Sequence, residues 1–226
     1  MSEVVEILDA RQYFEELQRV AQGLSHDPIN QIADALVKAY ESGRTVYLFG
    51  NGGSASLASH LACDLGKGTA YCNGGKRVRA LALTDNVATL TAWANDSSYE
   101  DVFAEQLRNV VEPQDVAFAI SASGNSKNVL QALHAARAAG ATTVGISGCQ
   151  GGAMKSQCDL CVVVPSDNMQ IIEDLHLATA HAIFRIVYTR MSRRPTRTTG
   201  VDLASASPGE LPEIRSEVRS QFPQHR

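Results

Sequence analysis

The chain has 226 residues, 44% of them hydrophobic and 19% charged, with a formal net charge of −4. That length carries one substantial hydrophobic core, and the mild negative charge without a compact Lys/Arg cluster in the body argues against nucleic acid as a partner. No apolar run reaches the roughly eighteen residues of a membrane span, and the acidic start MSEVVEILDARQYF is unlike a secretory leader, so no membrane contact and a cytoplasmic location are expected.

Residues 9–41 predict two amphipathic helices separated near SHDPIN. A strand TVYLFG (45–50) then runs into a loop of small residues, GNGGSAS (50–56), and a helix over 53–65. Next come a strand RVRALAL (77–83) and a helical stretch 87–110, broken near Asn95-Asp96. The strand DVAFAIS (115–121) leads through a second small-residue loop, SASGNSKN (121–128), into a helix 126–139 closed by Gly140. Strands TTVGISG (142–148) and DLCVVVP (159–165) precede a long helix over about 168–190. Several strands are apolar throughout rather than alternating, as in sheets covered on both faces. The pattern is α/β with a mainly parallel sheet, and ligands then belong at the carboxyl ends of the strands. The polar, Pro- and Gly-containing segment from 191 to 226 reads as a loosely attached tail, with Arg193, Arg194 and Arg197 as a solvated basic run. Five cysteines form no even framework, and Cys158 and Cys161 form a CxxC that leads into a strand instead of opening a helix. They read as structural thiols, with redox or metal use of the pair as the alternative.

The two Gly/Ser loops share a purpose. Small residues let backbone N–H groups converge on an anion, the following helix adds its positive end, and Ser54, Ser121, Ser123 and Ser126 add hydroxyl donors. Neither loop has the Lys-Ser/Thr ending of a nucleotide loop or the spaced glycines of a dinucleotide fingerprint, so a small phosphorylated metabolite fits better than ATP or NAD. His60 and Asp64 stand four apart on one helix face. The late helix offers Glu173 and His181, whose eight-residue spacing leaves them about 80° apart in phase. His176 is about 140° from His181 and stays outside a shell containing both. Two histidines and two carboxylates make a borderline-soft divalent site with zinc as the leading ion. Spacing alone equally allows two solvated His/acid pairs, because it does not bring the helices together.

Strand-GNGGSA-helix, ALALTDN, TAWAND, ISASGNS, GGAM and IIEDLHLATAHAI together resemble the sugar isomerase (SIS) domain of the phosphoheptose isomerase family, over roughly residues 10–190. The resemblance implies a three-layer, flavodoxin-like domain with a five-stranded parallel sheet, occupying 1–190 with its N-terminal helices, and a flexible tail over 191–226. It implies conversion of D-sedoheptulose 7-phosphate to D-glycero-D-manno-heptose 7-phosphate, homotetramers with interfacial active sites, and one zinc ion per subunit. Asn51, Gly52, Gly53, Ser54, Ser121, Ser123 and Ser126 would hold the sugar phosphate, with Asp85 and Asp96 near the sugar hydroxyls. Three positions depart from the family pattern. Asp64 replaces a glutamate, Glu173 replaces a glutamine, and the DLGKG stretch puts Lys67 one position early, with Gly68 where arginine is expected.

Aldose–ketose isomerisation requires a base for the carbon-bound proton, an acid/base for the oxygens and an electrophile for the developing oxyanion. The expected assignment is Asp64 for the carbon-bound proton and His181 for ring opening or the oxygens. His60, Asp64, Glu173 and His181 are the candidate metal set, and Glu173 also counts as a substrate contact. Two alternatives stand beside it: an isomerase of a different sugar phosphate, and a non-catalytic phosphosugar-binding protein akin to replication regulators of the same fold. No G-x-S-x-G elbow supports a serine hydrolase.

Overall fold

The computed structural model describes residues 7–72 and 76–193. The expected tail from residue 194 on, including Arg194 and Arg197, lies outside the described residues, while Met191 and Ser192 continue the last helix and Arg193 caps it. Five apolar segments form β1 (Thr45–Gly50), β2 (Arg79–Ala82), β3 (Val116–Ser121), β4 (Thr142–Ser147) and β5 (Leu160–Val163). They pair in parallel in the order β2-β1-β3-β4-β5, with Leu48 opposite Phe118, and Ile120 opposite Ile146. Every residue of β1 and β3 is buried, which accounts for their unbroken apolar sequences. β2 lies at an edge, and its Leu81 is 57% exposed.

Eight α-helices flank the sheet among the described residues: α1 (Ala10–Gln22), α2 (Asp27–Glu41), α3 (Gly53–Cys63), α4 (Val87–Asp96), α5 (Ala104–Val110), α6 (Lys127–Ala138), α7 (Met154–Gln157) and α8 (Met169–Ser192). The expected break near Asn95-Asp96 is the end of α4, while the single-turn α7 has no periodic signal in the sequence. The strands divide their side chains by the period of two. Val46, Leu48, Phe118 and Ile120 join α2, α3 and α8 in one core, and Tyr47, Phe49, Ala117 and Ala119 join α5 and α6 in another. Val20 of α1 packs with Ile171, Ile172 and Leu175 of α8 in a third cluster. Asp9, Asn86 and Asn168 cap α1, α4 and α8 by accepting backbone N–H bonds, so these helices start where their side chains dictate.

The strand order determines where a ligand sits. From β1 the chain moves outward to β2 on one side, and from β3 it moves to β4 on the other. The crevice at the carboxyl ends of β1 and β3 is the switch point at which doubly wound sheets bind ligands. The two Gly/Ser loops follow these two strands.

Candidate active site

At the end of β1, Gly52 has φ 56° and ψ −122°, a backbone state open to glycine, and it lets α3 begin at Gly53 directly above the strand. Asn51, Ser54, Ser121, Ser123 and Ser126 line a cavity of about 200 Å³ together with Glu173. The Ser121 and Ser126 hydroxyls lie 3.3 Å apart, and Asn125 N–H donates to Ser123 Oγ at 3.2 Å. α3 and α6 both start beside this cavity, so their positive ends favour an anion there. Two contributors escape sequence reasoning. Asn51 and the buried Asn128 exchange reciprocal amide bonds of 2.9 and 2.8 Å, and Tyr99 O–H donates to Asn51 Oδ1 at 2.9 Å. Asn51 thus clamps the first loop to α6 while bordering the cavity. The one available signal was an Asn inside the first turn of a helix that follows a Gly/Ser loop.

His60, in the last turn of α3, meets His181 of α8 across 121 residues, with their Nε2 atoms 3.1 Å apart. Asp64 Oδ2 is 3.4 Å from His60 Nε2 and 4.0 Å from His181 Nε2. Asp64 opens a π-helical turn, Asp64–Gly68, that continues α3 with a wider winding. Two nitrogen or oxygen ligands on a tetrahedral zinc ion sit about 3.3 Å apart. The edges of this triangle bracket that value, so the three donors would suit one divalent ion.

Glu173 is not in that triangle. It lies eight residues before His181, about 12 Å along the helix, and its Oε1 packs over Gly53, 2.9 Å from where a side-chain carbon would be. The expected four-ligand set therefore divides into three converging side chains and a carboxylate at the start of α3. A second cavity, of about 300 Å³, is lined by Gly53, Ser54, His60, Glu173 and His176, so Ser54 and Glu173 form the wall it shares with the first. Asp85 and Asp96 line neither. Asp85 accepts a hydrogen bond from the Ser59 hydroxyl and faces a separate groove along β2, and Asp96 accepts from the Asn95 amide at 2.7 Å. At Gly68, any side chain would meet the Phe184 ring at 2.6 Å, while Lys67 is exposed.

His176 is 1% exposed. Burial pushes its pKa down to about 4, only partly offset by a hydrogen bond to the Ser147 backbone, and its Nε2 has no hydrogen-bond partner. Tyr13 O–H donates to Asp174 Oδ2 at 2.7 Å, tying α1 to α8. That bond to a carboxylate pushes the phenol up to about 12. An anion seat in the switch-point crevice, next to a cavity bordered by an imidazole of a His/His/Asp cluster, can hold a phosphorylated molecule by one end and act on the other.

Residues 12–148 match the SIS domain model. The chain belongs to the SIS-domain family, whose architecture it shares. A probable phosphoheptose isomerase of Thermoplasma acidophilum is 38% identical over 180 residues, covering 80% of this chain and 98% of that one. A phosphoheptose isomerase of Bradyrhizobium sp. is 43% identical, covering 68% of this chain and 76% of its own. The solved phosphoheptose isomerase of Neisseria gonorrhoeae superposes with a TM-score of 0.74 at 28% identity, over 79% of this chain and 96% of that one. Within the SIS domains, the chain is thus a sugar-phosphate isomerase of the phosphoheptose isomerase family.

Proposed function

We propose that the chain interconverts D-sedoheptulose 7-phosphate and D-glycero-D-manno-heptose 7-phosphate through an enediol, as a cytoplasmic homotetramer with interfacial active sites. The observation that carries this reading is the convergence of His60, Asp64 and His181 beside the two-loop cavity. Asn51, Gly52, Gly53, Ser54, Ser121, Ser123 and Ser126 form the seat for the phosphate, whose binding energy holds C1 and C2 at the cluster. Asp64 takes a proton from C1 of the ketose and, after exchange with solvent, delivers one to C2. His181 gives a proton to the C2 oxygen and takes one from the C1 oxygen, so the net change is a carbonyl moved by one carbon. Asp64 meets the histidines through Oδ2, which leaves Oδ1 for the carbon-bound proton. Zinc held by His60, Asp64 and His181 would polarise the two oxygens as a Lewis acid. Glu173, expected as ligand and substrate contact, takes the second role and accepts a hydrogen bond from a sugar hydroxyl between the phosphate and the cluster. Asp85 and Asp96 reach the sugar only where another copy of the chain completes the site, which is why the reading includes the tetramer.

The test is conversion of sedoheptulose 7-phosphate followed by NMR, after chelation and again with added zinc. Aldoheptose 7-phosphate should appear, carrying deuterium at C2 when the reaction runs in deuterium oxide. Asp64→Asn and His181→Asn should each cost at least about a hundredfold. No conversion by folded protein in either condition would overturn the substrate assignment. One observation favours a different sugar phosphate as the second reading. Phe184 fills the space over Gly68, so no side chain at that position contacts the substrate as the family's basic residue is expected to.

A further inference from the structure

Cys158 and Cys161, read from sequence as structural thiols, turn out to share one space. Cys161 lies in β5 opposite Gly145 of β4, and Cys158 ends α7. A side-chain carbon at Gly145 would meet Cys158 Sγ at 2.8 Å and Cys161 Sγ at 3.3 Å. The two sulfurs therefore converge over the same glycine, and the Cys161 sulfur also lies 3.8 Å from the Ser147 hydroxyl. Neither is fully buried. We propose that Cys158 and Cys161 form an oxidisable dithiol that closes to a disulfide under peroxide and thereby alters the support of the second phosphate loop.

The two sulfurs are not equivalent. The neighbouring Cys158 thiol lowers the pKa of Cys161, with the Ser147 hydroxyl and the Lys155 charge assisting, and the same contact pushes Cys158 up. With the Lys155 charge acting on it, Cys161 serves as the attacking thiol and Cys158 as the resolving one. The Cys161 thiolate attacks one oxygen of hydrogen peroxide, the O–O bond breaks, and hydroxide leaves and is protonated to water. Cys158 then attacks the sulfenic sulfur, the S–S bond forms, the S–O bond breaks, and the hydroxyl leaves as water with the Cys158 proton. Two thiols lose two electrons to one peroxide. Closing the two sulfurs to a bond of about 2.05 Å draws Cys158 towards β5.

That movement has a short route to the site. Cys158 N–H bonds to Met154 O at 3.0 Å, and Met154 N–H bonds to Gly124 O at 2.9 Å. Ala153 N–H donates to Asn125 Oδ1 at 3.0 Å. Two successive hydrogen bonds thus separate Cys158 from Gly124, and a pull on Cys158 is passed along them to the loop that carries Ser123 and Ser126.

The disulfide chemistry does not depend on the isomerase assignment. Reduced full-length protein is treated with limiting hydrogen peroxide, alkylated and digested with trypsin. The peptide from Ser156 to Arg185 holds these two cysteines and no others. It should appear unalkylated and two mass units lighter, revert with a thiol reductant, and fail to form in Cys158→Ser or Cys161→Ser protein. Hydrogen exchange over residues 121–128 should be faster in the oxidised wild type than in the reduced one, with no such change in the serine variants. Oxidation confined to the exposed Cys63 and Cys149, with the Ser156–Arg185 peptide fully alkylated, would overturn the dithiol. A disulfide with unchanged exchange at 121–128 would overturn its link to the loop.

Discussion

His176 gives a stability signal whose sign and size follow from its burial. The imidazole is held neutral inside the protein, with a pKa of about 4 against an ordinary 6.5. Below 6.5 the unfolded chain takes up a proton that the folded chain refuses, so the neutral buried ring contributes stability above that pH and loses it as pH falls towards 4. Two and a half pKa units correspond to about 3 kcal/mol by pH 4. Charged and ionisable side chains of His60, Glu173 and Asp174 share its cavity. Subtracting a variant removes their contribution. His176→Asn keeps a side-chain N–H for the Ser147 backbone but has nothing to protonate. Urea unfolding of both proteins, chelated, from neutral pH down to about 4.5 should show wild type losing about 2.5 kcal/mol more than the variant. Parallel curves, within about 0.5 kcal/mol, would mean that the imidazole is not held neutral by its surroundings and would refute the reasoning.

Gly68→Ala should destabilise the protein by about 1–3 kcal/mol through overpacking against the Phe184 ring 2.6 Å away, and Phe184→Leu in the same chain should recover most of it. Thermal melts of the three proteins decide this, and a neutral Gly68→Ala would show that the ring moves aside at no cost. Asn128→Ala removes both amide bonds to Asn51 and the acceptor for Val129 N–H, so it should cost about 1–3 kcal/mol and raise KM for the sugar phosphate more than it lowers kcat. An unchanged KM would separate the clamp from the phosphate seat.

Local chemistry was legible in the chain. The apolar runs of β1 and β3, their Gly/Ser loops and the four-residue spacing of His60 and Asp64 are set within a few residues of one another, where backbone periodicity alone decides which side chains share a face. Everything that joins distant segments needed the packed molecule. The order β2-β1-β3-β4-β5 brings the two loops to one crevice, and α8 crossing α3 brings His181 to His60. The same crossing sends Glu173 to Gly53 instead of to the cluster, because two positions about 12 Å apart on one rod meet opposite ends of the helix they cross. Asp85 turned to Ser59, Asn128 to Asn51, and two cysteines to one glycine for a related reason. The length of a side chain is written in the sequence, but the neighbour it reaches is chosen by how close-packed helices and strands divide the space between them.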